Sequence, residues 1–294
     1  MTSSRPSKRE WRRCRASKAV QTVIDLRSQR PPMPPGFPKA VKEAKEKILA
    51  LADAQQEIKS ADFKAIWMNY KKSFSDAQFG GKCAYCETRV RAGYPGEIEH
   101  FRPKSDVTTY GRRGNRDGDG PPKRKKTKTV RPGYWWLAYD WQNWLFSCNR
   151  CNHWKANQFP TQPETNKLRP GMERQLKPLL LNPMEDDPDG HFEYDRNGKI
   201  RGLTEQGGES VTVYALDRKY LVLERKRVAV RIACLADDLA VANQAGNELA
   251  FKQTVRRLVD ESKPQNAYTG MIRFLISKLT GFDSEDWAKA IGIG

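Results

Sequence analysis

Two Cys-x-x-Cys motifs constrain this chain of 294 residues more than any other feature of its sequence. The first is CAYC at 83–86 and the second is CNRC at 148–151. Zn²⁺ prefers four soft ligands in a tetrahedron, and two such motifs supply them once they meet in space. The sequence therefore predicts a structural zinc site, with redox-active dithiols as the alternative. The four predicted zinc ligands are Cys83, Cys86, Cys148 and Cys151.

The gap between the motifs holds 61 residues, so a folded element has to lie between them. Part of this gap, residues 105–131, is rich in Gly, Pro and basic residues and has no apolar periodicity, which predicts a flexible inserted loop. The loop either binds nucleic-acid phosphates without reading sequence or is a solvated insertion without a role. Its densest basic run is Lys123, Arg124, Lys125 and Lys126.

The charge of the chain points to a polyanionic partner. The formal net charge is +18, and residues 1–18 and 105–131 each contribute +6 of it. Nucleic acid is the expected partner, and the alternative is that the basic charge serves only solubility. No apolar run approaches the ~18 residues that a membrane span needs, and the N-terminus lacks the apolar segment of a secretory signal.

The remaining cysteines do not suggest a disulfide framework, so we expect a reducing, cytoplasmic location. Cys14 lies in the basic N-terminal stretch, and Cys234 lies in a helical pattern where we expect it to be buried in the core. Five of the eight Trp residues fall within 135–154, and we expect them to form a core rather than a surface that stacks bases.

Along the chain, Pro and Gly clusters and apolar periodicity divide the sequence into four regions. The N-terminal helical region begins at Lys39 and includes a second helix over 60–78, and a hairpin is expected around Asn197-Gly198. The predicted regions are a basic, Pro-rich flexible tail (1–38), N-terminal helices (39–79), a core with the basic insertion (80–160), and a hairpin followed by C-terminal helices (161–294).

His100 is the histidine whose neighbours suggest chemistry. It follows Glu99 and precedes Arg102 and Lys104, all between the two cysteine motifs. A neutral imidazole takes a proton from water near pH 7, a carboxylate helps to hold Mg²⁺, and basic side chains bind phosphates. This combination is what phosphodiester hydrolysis requires, and the alternative is a Glu-His pair without a catalytic role.

The segments EIEHFRPK at 97–104 and WQNWLFSCNRCNHWK at 141–155 resemble the HNH, or ββα-metal, nuclease family. Glu99-His100 matches the first element of the family motif, Asn143 the middle Asn, and Asn152 the third position, where many members have His. Lys155 matches the basic residue that commonly follows. Residues 83–160 are similar in sequence to the HNH subgroup that is associated with bacterial retron and Septu-type anti-phage systems. The similarity continues more weakly through residues 179–200.

The resemblance implies a role for each matched residue. His100 is expected to be the general base, and Glu99 and Asn152 are expected to ligate Mg²⁺, for which Mn²⁺ can substitute. Asn143 is expected to orient the loop that carries His100 through backbone hydrogen bonds. His153 is expected to point away from the metal, and His191 to form local hydrogen bonds. The expected nucleic-acid contacts are Arg102, Lys104, Lys155, Lys123, Arg124, Lys125 and Lys126.

These observations predict an α+β chain with a zinc-pinned ββα-metal (HNH) core embedded in a mostly helical domain. The expected function is a Mg²⁺-dependent HNH endonuclease that hydrolyses DNA. The subgroup resemblance implies the effector of an anti-phage system, with a partner ATPase. The alternative is a non-catalytic, zinc-dependent nucleic-acid-binding or assembly protein, which does not require Glu99, His100, Asn143 and Asn152 together.

Overall fold

The computed structural model describes residues 26–90, 96–111 and 125–283, together with Asp286, Trp287 and Lys289. These residues have an α+β structure, as expected, and their strands pair two by two in small sheets. They fall into two units, which we call the core unit (26–192 and 201–221) and the helical unit (193–200 and 222 onward). Residues 1–25 of the predicted tail, as well as Lys123 and Arg124, lie outside the described residues.

In the core unit, the chain before the first helix is anchored. Leu26 is buried, and the Arg30 guanidinium donates hydrogen bonds to the backbone oxygens of Trp141 at 2.7 Å and Trp144 at 2.9 Å. Residues 26–36 therefore differ from the flexible tail predicted for 1–38, because these contacts hold them. Helix α1 then spans Phe37–Asp53.

The single helix predicted over 60–78 is broken in the structure. Two 3₁₀ turns, Ser60–Asp62 and Ile66–Tyr70, precede helix α2 at Lys71–Ala77. Phe63, between the two turns, has extended backbone dihedrals and a buried side chain. Because of this break, the aromatic side chains of the segment do not all follow from one helical face. Apolar periodicity alone does not reveal such a break.

Four strands and one helix follow in the core unit. They are β1 (Glu97–His100), β2 (Val107–Tyr110), β3 (Lys126–Val130), β4 (Trp144–Ser147) and helix α3 (Asn149–Lys155). β1 pairs with β4 in antiparallel register, with Glu97 opposite Ser147 and His100 opposite Trp144. The second cysteine motif thus lies where β4, the partner of β1, is followed by α3.

β2 and β3 form an antiparallel hairpin within the segment predicted to be a flexible loop. Val107 and Val130 face each other across it and are both buried. The β-branched residues of VTTY and TKTV favour strands even though Lys and Thr alternate there. The prediction of a loop was therefore wrong for these two strands.

An aromatic cluster fills the core beneath β1 and β4. Trp144 is fully buried and Trp141 is 2% exposed, and Phe37 packs edge-on against both rings. The expectation of a tryptophan core is confirmed for these two residues. Trp135, Trp136 and Trp154 are only partly buried.

The rest of the described chain begins with short strands and continues with helices. Strands β5 (Thr161–Gln162) and β6 (Lys177–Pro178) pair with each other, as do β7 (Phe192–Tyr194) and β8 (Ile200–Gly202). Gly198 has φ +75° in the turn between β7 and β8, so the predicted hairpin is confirmed. The helices are α4 (Glu205–Val213), α5 (Lys219–Gln244), α6 (Glu248–Glu261) and α7 (Thr269–Thr280).

Cys234 is exposed on α5, so the expectation that it lies in the core was wrong. Ile232 and Leu239 carry the buried stripe of this helix, and Cys234 lies on another face of the same turns. Among the described helices, none combines the length and apolar character needed to cross a membrane.

Candidate metal centre and neighbouring cleft

The two cysteine motifs meet in the core unit. The Sγ atoms of Cys83, Cys86, Cys148 and Cys151 all lie within 4.8 Å of one another, and those of Cys86 and Cys148 are 3.8 Å apart. A tetrahedron with Zn–S bonds of about 2.3 Å has S–S edges of about 3.8 Å. The donor set and its spacing therefore fit zinc. The predicted clustering of the four thiols is confirmed.

Arg218 lies beside the cluster, a position that no motif in the sequence indicates. Its Nη1 donates to Cys151 Sγ at 3.6 Å and to the backbone oxygen of Ala215 at 3.0 Å. Burial alone lowers the pKa of Arg218, but the neighbouring thiolates raise it overall. A cation here offsets the negative charge that four thiolates leave on a Zn²⁺ site.

Burial and the neighbouring groups shift the pKa values of Cys83, Cys86 and Cys151 in different directions. Burial raises the pKa of Cys83 and of Cys151, whereas hydrogen bonds from the neighbouring thiols, followed by the charge of Arg218, lower the pKa of Cys86. Because zinc binds thiolates, loading such a cluster with metal is expected to release protons.

The core unit also has a cleft of about 190 Å³, lined in part by Asn152, the residue that directly follows Cys151. Its walls combine residues from β1, from the loop after it and from α3. This cleft brings together three residues that the sequence analysis placed in the catalytic site, Glu99, His100 and Asn152, with the predicted phosphate contact Lys104.

His100 is held by the backbone of the segment before β4. Its Nε2 lies 2.9 Å from the backbone oxygen of Ala138, and Trp144 Nε1 donates to the same oxygen at 3.0 Å. Trp144 Nε1 also lies 3.2 Å from His100 Nε2, but its shorter contact is with the Ala138 oxygen, which can accept from both N–H groups. Because a carbonyl oxygen cannot donate, its 2.9 Å contact with Nε2 assigns the proton to Nε2 and leaves the lone pair on Nδ1. Burial, and then the charge of Lys104, hold the pKa of His100 well below its usual range. The imidazole is therefore neutral at pH 7.

Asn143 connects the two segments that form the site. Its Oδ1 accepts a hydrogen bond from the Arg102 backbone N–H at 2.8 Å, and its Nδ2 donates to the oxygens of Arg102 at 3.0 Å and Leu137 at 3.1 Å. Both backbone groups of the residue two positions after His100 are thus fixed by one buried side chain. Asn143 therefore joins the segment after β1 to the segment before β4.

Lys155 is a correction to the sequence analysis, which placed it among the nucleic-acid contacts. Its side chain is 0% exposed, and its Nζ donates to Glu99 Oε1 at 2.5 Å and to the backbone oxygen of His100 at 2.9 Å. The ammonium is therefore enclosed in the core unit and holds Glu99 in place. Burial raises the pKa of Glu99, and the charge of Lys155 opposes that shift.

Glu97 is a site residue that the sequence analysis did not assign. The Asn152 side-chain amide donates a hydrogen bond to its carboxylate. Glu97 and Glu99 lie two residues apart on β1, so the alternation of a strand places both on one face. That alternation was the signal available in the sequence.

The other basic residues that were predicted to contact nucleic acid differ in how exposed their side chains are. Lys104 lines the cleft, with its Nζ 4.6 Å from the centre of the Trp67 ring, and burial lowers its pKa. Arg102 is half-buried over the Phe159 ring. Lys125 and Lys126 are exposed at the start of β3.

The two other histidines lie elsewhere. His153 is exposed on α3 with its ring against Trp154, and it is absent from the cleft lining. His191 Nδ1 lies 2.6 Å from Thr204 Oγ1, 13 residues further along the chain, so its hydrogen-bond partner is less local than expected.

Comparison with known proteins gives two relatives. The chain is 37% identical over 210 residues to Septu protein PtuB of Bacillus mycoides (strain KBAB4), which covers 65% of this chain and 66% of that protein. It is 30% identical over 159 residues to Septu protein PtuA of the same strain, which covers 53% of this chain and 20% of that protein. The chain thus spans just under two thirds of one relative and a fifth of the other, and no family model matches it. These similarities associate the chain with Septu proteins.

Proposed function

We propose that this chain is a Mg²⁺-dependent HNH endonuclease that hydrolyses phosphodiester bonds in DNA and acts in Septu anti-phage defence. The observation that carries the proposal is the cleft in which Glu99, His100, Lys104 and Asn152 meet. β1 supplies Glu99 and His100, and α3, which contains the second cysteine motif, supplies Asn152; this arrangement supports the proposal.

His100 is the general base of the proposed reaction. The Ala138 oxygen holds the proton on Nε2, which leaves Nδ1 to take a proton from water. The lowered pKa keeps the ring in the form that accepts this proton. Asn143 fixes the backbone after His100 and so acts as a positioning residue.

The oxygen donors of Glu99 and Asn152 suit Mg²⁺, a hard cation that binds through one or two carboxylates together with substrate phosphates. When bound, the metal neutralises charge on the phosphate and on the leaving oxygen. Lys155 keeps Glu99 charged and oriented, and Glu97 orients the Asn152 amide.

Phosphates next to the reacting one are the proposed ligands of Lys104 and of the exposed Lys125 and Lys126. These side chains carry no sequence information by themselves, so cleavage is expected to be limited by structure or by a partner rather than by base sequence.

The defence role rests on the similarity to Septu PtuB, and the similarity to PtuA indicates a partner within the same system. We propose that the nuclease works in a complex with a partner ATPase of that system. The ATPase then controls when the cleft meets DNA.

The test is a nicking assay on supercoiled plasmid with Mg²⁺, run on the zinc-loaded chain alone and with its Septu partner. The wild type is expected to make nicks that DNA ligase reseals, because hydrolysis leaves 5′-phosphate and 3′-hydroxyl ends. Asn152→Ala is expected to lose the activity, and Asn149→Ala, an exposed residue of the same helix, is expected to keep it. No nicking with either preparation, or equal nicking by Asn152→Ala, contradicts the proposal.

A further inference from the structure

Helix α5 has an exposed face that the proposed function does not use. The inward face of this helix includes Ile232, which is fully buried. Single exposed apolar residues are ordinary on a protein surface, but here four of them share one helix face. They are Leu223, Val230 and Val241, which are 45%, 47% and 65% exposed, and Cys234.

These residues follow the spacing of a coiled-coil seam. Positions 223, 227, 230, 234, 237 and 241 alternate steps of four and three residues, and all six are exposed. Two of them are charged, Arg227 and Asp237, and the other four are apolar or cysteine. We call these six residues the α5 seam. It is about 27 Å long at 1.5 Å per residue.

The α5 seam is complementary to itself when reversed. In an antiparallel pair with its midpoint at residue 232, Leu223 faces Val241, Val230 faces Cys234, and Arg227 faces Asp237. Each apolar residue then meets an apolar or sulfur-containing one, and each charge meets its opposite. In a parallel pair, Arg227 faces Arg227 and Asp237 faces Asp237, which is repulsive.

The residues beside the seam repeat this relation. Lys226 and Asp238 are both exposed and lie at equal distances on either side of the same midpoint. Two copies therefore place Lys226 of each helix beside Asp238 of the other. The first half of α5 is basic and its second half is acidic, so an antiparallel copy of the same helix is complementary to it in charge.

We propose that the α5 seam is the interface of a homodimer in which the α5 helices of two copies pack antiparallel. The contact is isologous, because each copy uses the same residues. The proposed interface involves only α5 and is therefore independent of the metal centre and of the proposed nuclease activity. A seam of this length with two charged positions predicts a reversible dimer in the micromolar range.

Sedimentation of the zinc-loaded full chain from about 1 to 200 µM tests the proposal. The wild type is expected to pass reversibly from 33.7 kDa to twice that mass. Arg227→Asp and Asp237→Arg are each expected to raise the dimer Kd at least about tenfold, because each places like charges opposite one another. Mixing the two variants is expected to restore the dimer, since the hetero-pair has opposite charges at both contacts.

Arg256→Asp on the exposed face of α6 is the matched control, and it is expected to leave the Kd unchanged. Far-UV circular dichroism checks that each variant keeps its helices. A wild type that stays monomeric throughout this range overturns the proposal, whether or not another protein covers the face. A dimer unaffected by Arg227→Asp, or a mixture that does not recover, overturns it as well.

Discussion

Replacing Lys155 with Met tests whether this lysine holds Glu99 in place. The substitution keeps most of the side-chain volume and removes the cation from two contacts, Glu99 Oε1 at 2.5 Å and the His100 backbone oxygen at 2.9 Å. Both side chains are buried, with 0% and 8% exposure. Removing one partner of a buried ion pair costs about 3–5 kcal/mol, because the remaining charge stays uncompensated. We expect a loss of that size in the free energy of unfolding.

Urea unfolding followed by tryptophan fluorescence measures this loss, with the chain zinc-loaded and without added Mg²⁺. Lys126→Met is the matched control, and because its side chain is exposed we expect a change below about 0.5 kcal/mol. The double variant Lys155→Met with Glu99→Gln removes both charges, so it is expected to return to within about 1–2 kcal/mol of the wild type.

The pH dependence of the Lys155→Met variant has a definite sign. Without its cation, buried Glu99 has a folded-state pKa above that in the unfolded chain, so between those two pKa values the native state holds more protons. The stability of the variant then rises as the pH falls through that interval. A loss below about 1 kcal/mol at pH 7, or no recovery in the double variant, refutes the buried-pair account.

Three further outcomes are expected. Asn143→Ala removes three buried hydrogen bonds, so the free energy of unfolding should fall by about 2–4 kcal/mol in urea, and an unchanged value contradicts its role in fixing the loop after His100. Cys86→Ser should lower the zinc content below one ion per chain by plasma emission spectrometry, and full retention of zinc contradicts the four-thiol site. Gly133→Ala should destabilise the folded chain by about 1–3 kcal/mol in thermal melts, because the added Cβ would lie 2.6 Å from the Pro103 backbone oxygen. Gly36→Ala is the control, because a Cβ added there meets open space.

Local spacing was enough to predict the parts of the site that short motifs determine. Two residues between paired cysteines set the geometry of each motif, so the clustering of Cys83 and Cys148 followed from sequence. The β7–β8 hairpin was predictable for a similar reason, since Asn197-Gly198 specifies a tight turn.

Burial and long-range contacts could not be predicted in this way. The position of Lys155 in the sequence, four residues after Cys151, does not tell whether its side chain points to DNA or into the core. The packing around Glu99 determines this direction. Arg30 and Arg218 reach partners more than 60 residues away, and a basic residue in a sequence carries no sign of such a partner. The break at Phe63 likewise follows from how the aromatic cluster packs, because a helical period describes only one face of one element.

The most direct test of the central claim compares two histidines within one chain. His100→Ala and His153→Ala remove imidazoles from the cleft and from the exposed side of α3, respectively. In Mg²⁺-dependent plasmid nicking, with zinc content matched, His100→Ala is expected to be slower by about 10²–10⁴-fold and His153→Ala to match the wild type. Equal nicking by His100→Ala and the wild type would place the activity outside this cleft and contradict the account.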